Sequence, residues 1–135
     1  MNVSNKDLEE VLDEINNALN DPRGLVAHQK RIGFFISFGA IALIEIYLKK
    51  SNVFKLGSKI DHRWLKRSKE NVKKVISKYI TCSIEELKNF DDILEIAYKI
   101  ESSRNNFVYG KEISEEELRA YIDLFFELRR SVENA

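Results

Sequence analysis

A single cysteine, Cys82, rules out any disulfide within the chain, as expected of a protein kept in a reducing cytoplasm. One proline and five glycines in 135 residues leave no material for a linker or a low-complexity tract. Only two histidines are present, His28 and His62, so the choice of acid–base groups near neutral pH is short. With no second cysteine and no regularly spaced carboxylates, no metal site is expected. No cofactor is expected either, because G-x-x-x-x-G-K-[ST], G-x-G-x-x-G, a nucleophile elbow and C-x-x-C are all missing. Cys82 has no base beside it in sequence and reads as structural. Met1 to Asp7 is polar almost from the start, so no cleavable signal is expected before the first helix. Nothing alternates for long enough to argue a sheet.

What is present describes one folded domain spanning residues 1–135: 44% of the chain is hydrophobic and 33% charged. The longest apolar run, Ile32 to Leu48, has 17 residues and carries Glu45 inside it. That is shorter than the ~20 residues a bilayer needs, so the run is expected to be the buried centre of a helical bundle and not a membrane span. Gly33, Ser37 and Ala40 form a small-residue stripe along it, where a second helix can approach closely. The formal charge is zero, but it is unevenly spread. Residues 49–78 carry a local net of +9, against −3 before them and −6 after them. A basic middle of this kind attracts phosphates, an acidic partner or the acidic ends of another copy.

The periodicity predicts an all-α fold, an antiparallel bundle of about five helices. Leu8, Val11, Leu12, Ile15, Ala18 and Leu19 share one face of the first, with Ser4 as its N-cap. The second is expected from about Pro22 to Lys50, capped by Asp21 and covered on every side, by this chain alone or partly by a second chain. The third is expected from about Asp61 to Tyr79, with Leu65, Val72, Val75, Ile76 and Tyr79 inward. Ser83 and Glu86 form a capping-box pattern that opens the fourth, through Leu87, Phe90, Leu94, Ala97 and Ile100, and Gly110 stops it. Ser114 and Glu117 repeat the pattern for the fifth, where Leu118, Tyr121, Ile122, Phe125, Leu128 and Val132 face inward.

Residues that violate these stripes carry the functional information. Arg104 follows Ala97 by seven and Ile100 by four, so its helix turns it toward the core side. A guanidinium there needs a partner: either Glu45 or Glu101 as an ion pair, or the phosphate of a ligand in a cleft. Glu45 poses the same problem with the opposite sign. Asp61-His62-Arg63-Trp64, followed by Lys66, Arg67 and Lys69, sets cations beside an aromatic ring. That suits either a nucleic-acid backbone with a stacked base or a solvated helix face with Trp64 in the core. His28 reads as a surface or hydrogen-bonded structural residue.

Around Arg104, the stretch Ile100-Glu101-Ser102-Ser103-Arg104-Asn105-Asn106-Phe107-Val108-Tyr109-Gly110 resembles the signature of HEPN domains. These are small helical bundles whose late helix carries an Arg, commonly a polar residue next, then a His after four to six more. Arg104 and Asn105 match the first two positions, while Tyr109 stands where the His is expected. His28 to Phe35, leading to Glu45-Ile46-Tyr47-Leu48-Lys49, is similar to the long second helix of the family. The resemblance implies a homodimer that binds RNA or nucleotide phosphate in a cleft between the subunits, as a metal-independent ribonuclease of a toxin–antitoxin type system. Its alternative is a non-catalytic module that partners a minimal nucleotidyltransferase or an antitoxin. Carried over, Arg104 holds the phosphate, Asn105 orients it and Tyr109 occupies the acid–base position. The basic segment (His62, Arg63, Lys66 and Arg67) and Glu45 add binding contacts. An unperturbed tyrosine has a pKa of about 10, so the departure at Tyr109 leaves catalysis open.

Overall fold

The computed structural model describes residues 4–135, with side chains from residue 6 onward. Five α-helices form an all-α bundle: α1 (Ser4–Leu19), α2 (Gln29–Lys50), α3 (Lys69–Ser77), α4 (Phe90–Tyr109) and α5 (Glu115–Glu133). Among the described residues the only β-type pairing is one isolated antiparallel bridge, Phe54 with Ile80.

In α1 the three- and four-residue spacing works as expected: Val11, Ile15 and Ala18 are buried against α2. Leu19, expected on the same face, stands exposed at the helix end. The cap expected at Ser4 falls on a side chain outside the described residues.

The second helix begins later than Pro22. Asp21 accepts from the Arg23 backbone N–H at 2.8 Å and so closes a turn instead of capping a helix. Gly24 follows at φ +98°, a conformation that a Cβ disfavours. A 3-10 turn, Leu25–His28, then leads into α2. The span Leu25–Lys50 is long and apolar enough to cross a membrane by length and composition, but α2 packs against α1, α4 and α5 as the central helix. At Gly33 the small-residue stripe lets α4 approach closely, and at Gly39, outside that stripe, α5 does the same. A Cβ on Gly33 would stand 2.7 Å from Phe107 Cβ of α4, and one on Gly39 would stand 2.6 Å from Phe125 Cε1 of α5. Within one chain α2 is open on one side, where Phe34 and Phe38 are 50% and 38% exposed.

The helix expected over Asp61 to Tyr79 is broken into a 3-10 turn, His62–Lys66, and α3. The cause is local competition. Arg67 and Ser68 turn extended, and Ser68 Oγ accepts from the Asn71 N–H as a new N-cap. Leu65, Val72 and Ile76 are buried as expected, and Trp64 stacks on Tyr79 with ring centroids 5.4 Å apart. The fourth helix also starts late. Glu86 accepts from the Ser83 N–H at 3.1 Å, but the box closes only the 3-10 turn Ile84–Glu86. The chain reopens at Leu87, passes a left-handed Asn89 (φ 61°) and enters α4 at Phe90. Gly110 ends α4, and Ser114 Oγ accepts from the Glu117 N–H to open α5, both as expected.

Candidate functional site

The uncovered side of α2 forms the floor of a groove of about 760 Å³, walled by α4 and by the segment Lys59–Trp64. Phe34, Phe38 and Ile41 recur at i, i+4 and i+7, so α2 presents them together. Trp64 adds another aromatic face from the 3-10 turn. An apolar cleft of this size with a few converging polar groups is the usual form of a ligand site.

The polar groups arrive from four elements, α1 supplying the Asp7 carboxylate at the rim. Ile100 is fully buried in the α4 stripe, and Glu101 beside it is only 2% exposed. Glu101 Oε1 accepts from Ser37 Oγ of α2 at 2.9 Å, and Oε2 lies 3.3 Å from His62 Nδ1. Three residues on, Arg104 lines the groove with its guanidinium 5.9 Å from the Phe34 ring centroid. Its Nη1 donates to Asn105 Oδ1 at a long 3.4 Å.

The ion pair considered for Arg104 does not form: among the described residues neither Glu45 nor Glu101 bridges to it. Both carboxylates are engaged elsewhere. Glu45 lines the groove and accepts from the Ile60 backbone N–H at 2.7 Å. Asp61 is taken by Arg63, which donates to it from Nε at 3.0 Å and from Nη2 at 2.6 Å. Arg63's side-chain hydrogen bonds, more than its charge, hold the Asp61 carboxyl at about 2. Arg63 therefore meets the groove with its charge largely compensated, and Arg104 does not.

Of the residues singled out in the sequence, Arg104, His62, Arg63 and Glu45 share the groove. Asn105 is exposed beside Arg104, Lys66 is exposed outside the groove, and Arg67 borders a smaller hollow near Ser68 and Tyr98. Five residues past Arg104 is about 140° around a helix, and Tyr109 is 73% exposed and does not line the groove. Sequence reasoning missed Ser37 as a hydrogen-bonding group and the open Phe34–Phe38 edge. The i, i+4, i+7 spacing was the available signal for that edge.

The second histidine is built differently. His28 is buried, with Nδ1 2.9 Å from Glu14 Oε2 and Nε2 2.7 Å from Asp21 Oδ2. Hydrogen bonds from Asp21 and then Glu14 outweigh desolvation and raise its pKa. The Arg23 side chain, then its backbone N–H, then His28 hold the Asp21 carboxyl well below its usual range. Beside it, Gln29 donates to the carbonyls of Phe107 and Lys111 and accepts from the Ile113 N–H, tying the start of α2 to the α4–α5 connection. Among the described residues no group of three or more His, Cys, Asp or Glu is placed to hold a metal ion.

The fold and site together define an all-α bundle with an open aromatic groove carrying, among the described residues, a guanidinium without an ion pair and a carboxylate-backed imidazole. No family model, curated protein or solved structure matches the chain, so its function is read from these side chains.

Proposed function

We propose that this chain is an HEPN-type cytoplasmic protein, acting as a homodimer, that binds RNA or nucleotide phosphate in the α2–α4 groove. The observation that carries the reading is Arg104: a guanidinium at the groove wall, with Glu45 and Glu101 already bonded to other donors. Its forked donors suit phosphate oxygens, and the faces of Phe34, Phe38 and Trp64 suit a base. The basic segment from Lys59 onward extends positive charge away from the groove, as a polyanion requires.

Fluorescence anisotropy with a labelled single-stranded RNA, and competition by a nucleoside monophosphate, test this directly. Arg104→Ala is expected to weaken binding about 10- to 100-fold, the usual size of a hydrogen bond to a charged group, and Tyr109→Phe to leave it unchanged. Wild-type protein that binds neither ligand, or an Arg104→Ala variant that binds as wild type does, sinks the reading.

A second reading is favoured by the exposure of Lys66 and Arg67 outside the groove. They form a surface for an acidic partner, either a minimal nucleotidyltransferase or an antitoxin. In that case charge reversal at both positions abolishes co-purification with that partner and leaves RNA binding intact.

A further inference from the structure

We infer that His62, and not Tyr109, is the acid–base group of this groove, and that Glu101 is the positioning residue behind it, so that the groove breaks the phosphodiesters it binds. The inference rests on the phosphate grip proposed for Arg104. A carboxylate as deep as Glu101 needs a partner at each oxygen, and it has two: Ser37 Oγ on one and His62 Nδ1 on the other. Because a carboxylate only accepts, the bonded Nδ1 carries the hydrogen. The lone pair of the neutral ring is then left on Nε2. That nitrogen has no partner among the described residues, and the side chain is 39% exposed where it lines the groove. Arg104 follows Glu101 by three positions, so one face of α4 supplies both the support for the imidazole and the grip on the anion. Ser37 is not a nucleophile here, since its hydroxyl hydrogen is committed to the carboxylate.

An imidazole and a guanidinium lining one groove support transfer within a ribonucleotide chain. Nε2 takes the proton of a ribose 2′-hydroxyl as that oxygen bonds to the adjacent phosphorus. The bond from phosphorus to the following 5′-oxygen breaks, and the proton held on Nε2 passes to that oxygen. A cyclic phosphate and a free 5′-hydroxyl result, the imidazole returns to neutral, and nothing is oxidised or reduced. Arg104 balances the charge that builds on the non-bridging oxygens.

The test measures binding and cleavage on the same full-length samples, using a labelled single-stranded RNA and its DNA counterpart. Wild type is expected to cut the RNA and leave the DNA whole, because only RNA offers the 2′-hydroxyl. His62→Asn should lower cleavage about 100-fold or more while RNA affinity holds, and added imidazole should restore part of the rate of His62→Ala. Glu101→Gln should lower kcat and spare KM. If that buried change prevents folding, the His62 variants and the imidazole rescue decide alone. Wild type that binds RNA without cutting it overturns the inference and leaves the binding reading standing. So does a His62→Asn variant as active as wild type, or a His62→Ala variant that ignores imidazole. Wild type that does not bind RNA at all overturns both.

Discussion

The two imidazoles of this chain sit in similar company and do opposite things. His28 stands between Glu14 and Asp21 with both ring nitrogens bonded and its side chain 7% exposed. His62 leans on Glu101 through one nitrogen and keeps 39% of its side chain open to the groove. A nearby carboxylate therefore does not mark a catalytic histidine. What separates the two is whether a nitrogen is left over once the fold has used the ring. At His28 none is, and the ring clamps the end of α1 and the following turn to the entry of α2. At His62 one is, and the residue lines a cavity that also holds Arg104, a guanidinium with no ion pair among the described residues.

The sharpest way to break that contrast is to remove each ring. His28→Ala leaves two largely buried carboxylates without their shared donor, and is expected to lower unfolding stability by about 3 kcal/mol. His62→Ala removes one long contact from the buried Glu101, which keeps its Ser37 donor, and is expected to cost about 1–2 kcal/mol. Urea midpoints of the two variants check this. Equal losses would mean that His62 is as structural as His28.

A smaller effect comes from Gly33, which lies on α2 between the two sites. An added Cβ there meets Phe107 Cβ at 2.7 Å and Val108 Cγ2 at 3.0 Å, so α4 must move away. Gly33→Ala is expected to destabilise by about 2 kcal/mol through overpacking. Because the Ser37–Glu101–His62 chain spans the same helix crossing, RNA affinity and cleavage should fall as well, while the His28 clamp on α1 stays whole. Calorimetry and the binding assay together decide. A variant with unchanged stability and binding would show that the crossing does not set the groove.

How much of this was legible in the sequence follows from what each feature depends on. The inner faces of α1 and α5, the close approach at Gly33 and the end of α4 at Gly110 depend on local spacing and local chemistry, and they were readable. Helix starts were not, wherever two local preferences compete. Ser68 captures the Asn71 N–H in the middle of the expected third helix, and the Ser83–Glu86 box closes a turn that α4 does not continue. At the site, Arg104 was visible as a charge on an apolar stripe. Its freedom from an ion pair was not, because that depends on Ile60 reaching Glu45 and His62 reaching Glu101. The second of these contacts joins residues 39 positions apart. Tyr109 sits about 140° around α4 from Arg104, so within one chain the two do not line the same groove.

The smallest expected effect is the dependence of stability on pH, and it separates the two histidines without any mutation at the groove. The folded pKa of His28 is raised by its bonds to Asp21 and Glu14. Its contribution is therefore complete below the unfolded value of about 6.5 and fades as pH climbs through the folded value. A neutral ring has one N–H, so above that point one of the two carboxylates loses its donor. Asp21 acts with the opposite sign. Its folded pKa is lowered, so its contribution is complete above its usual 3.8 and fades as pH falls below that. Stability should form a plateau between these limits and decline toward alkaline pH. Urea midpoints at mildly acidic, neutral and alkaline pH test the decline, with His28→Asn as the control. The variant should be less stable at every pH and should lack the alkaline fall. If the fall persists in His28→Asn, some other group titrates and the clamp is not the pH-sensitive element of the fold.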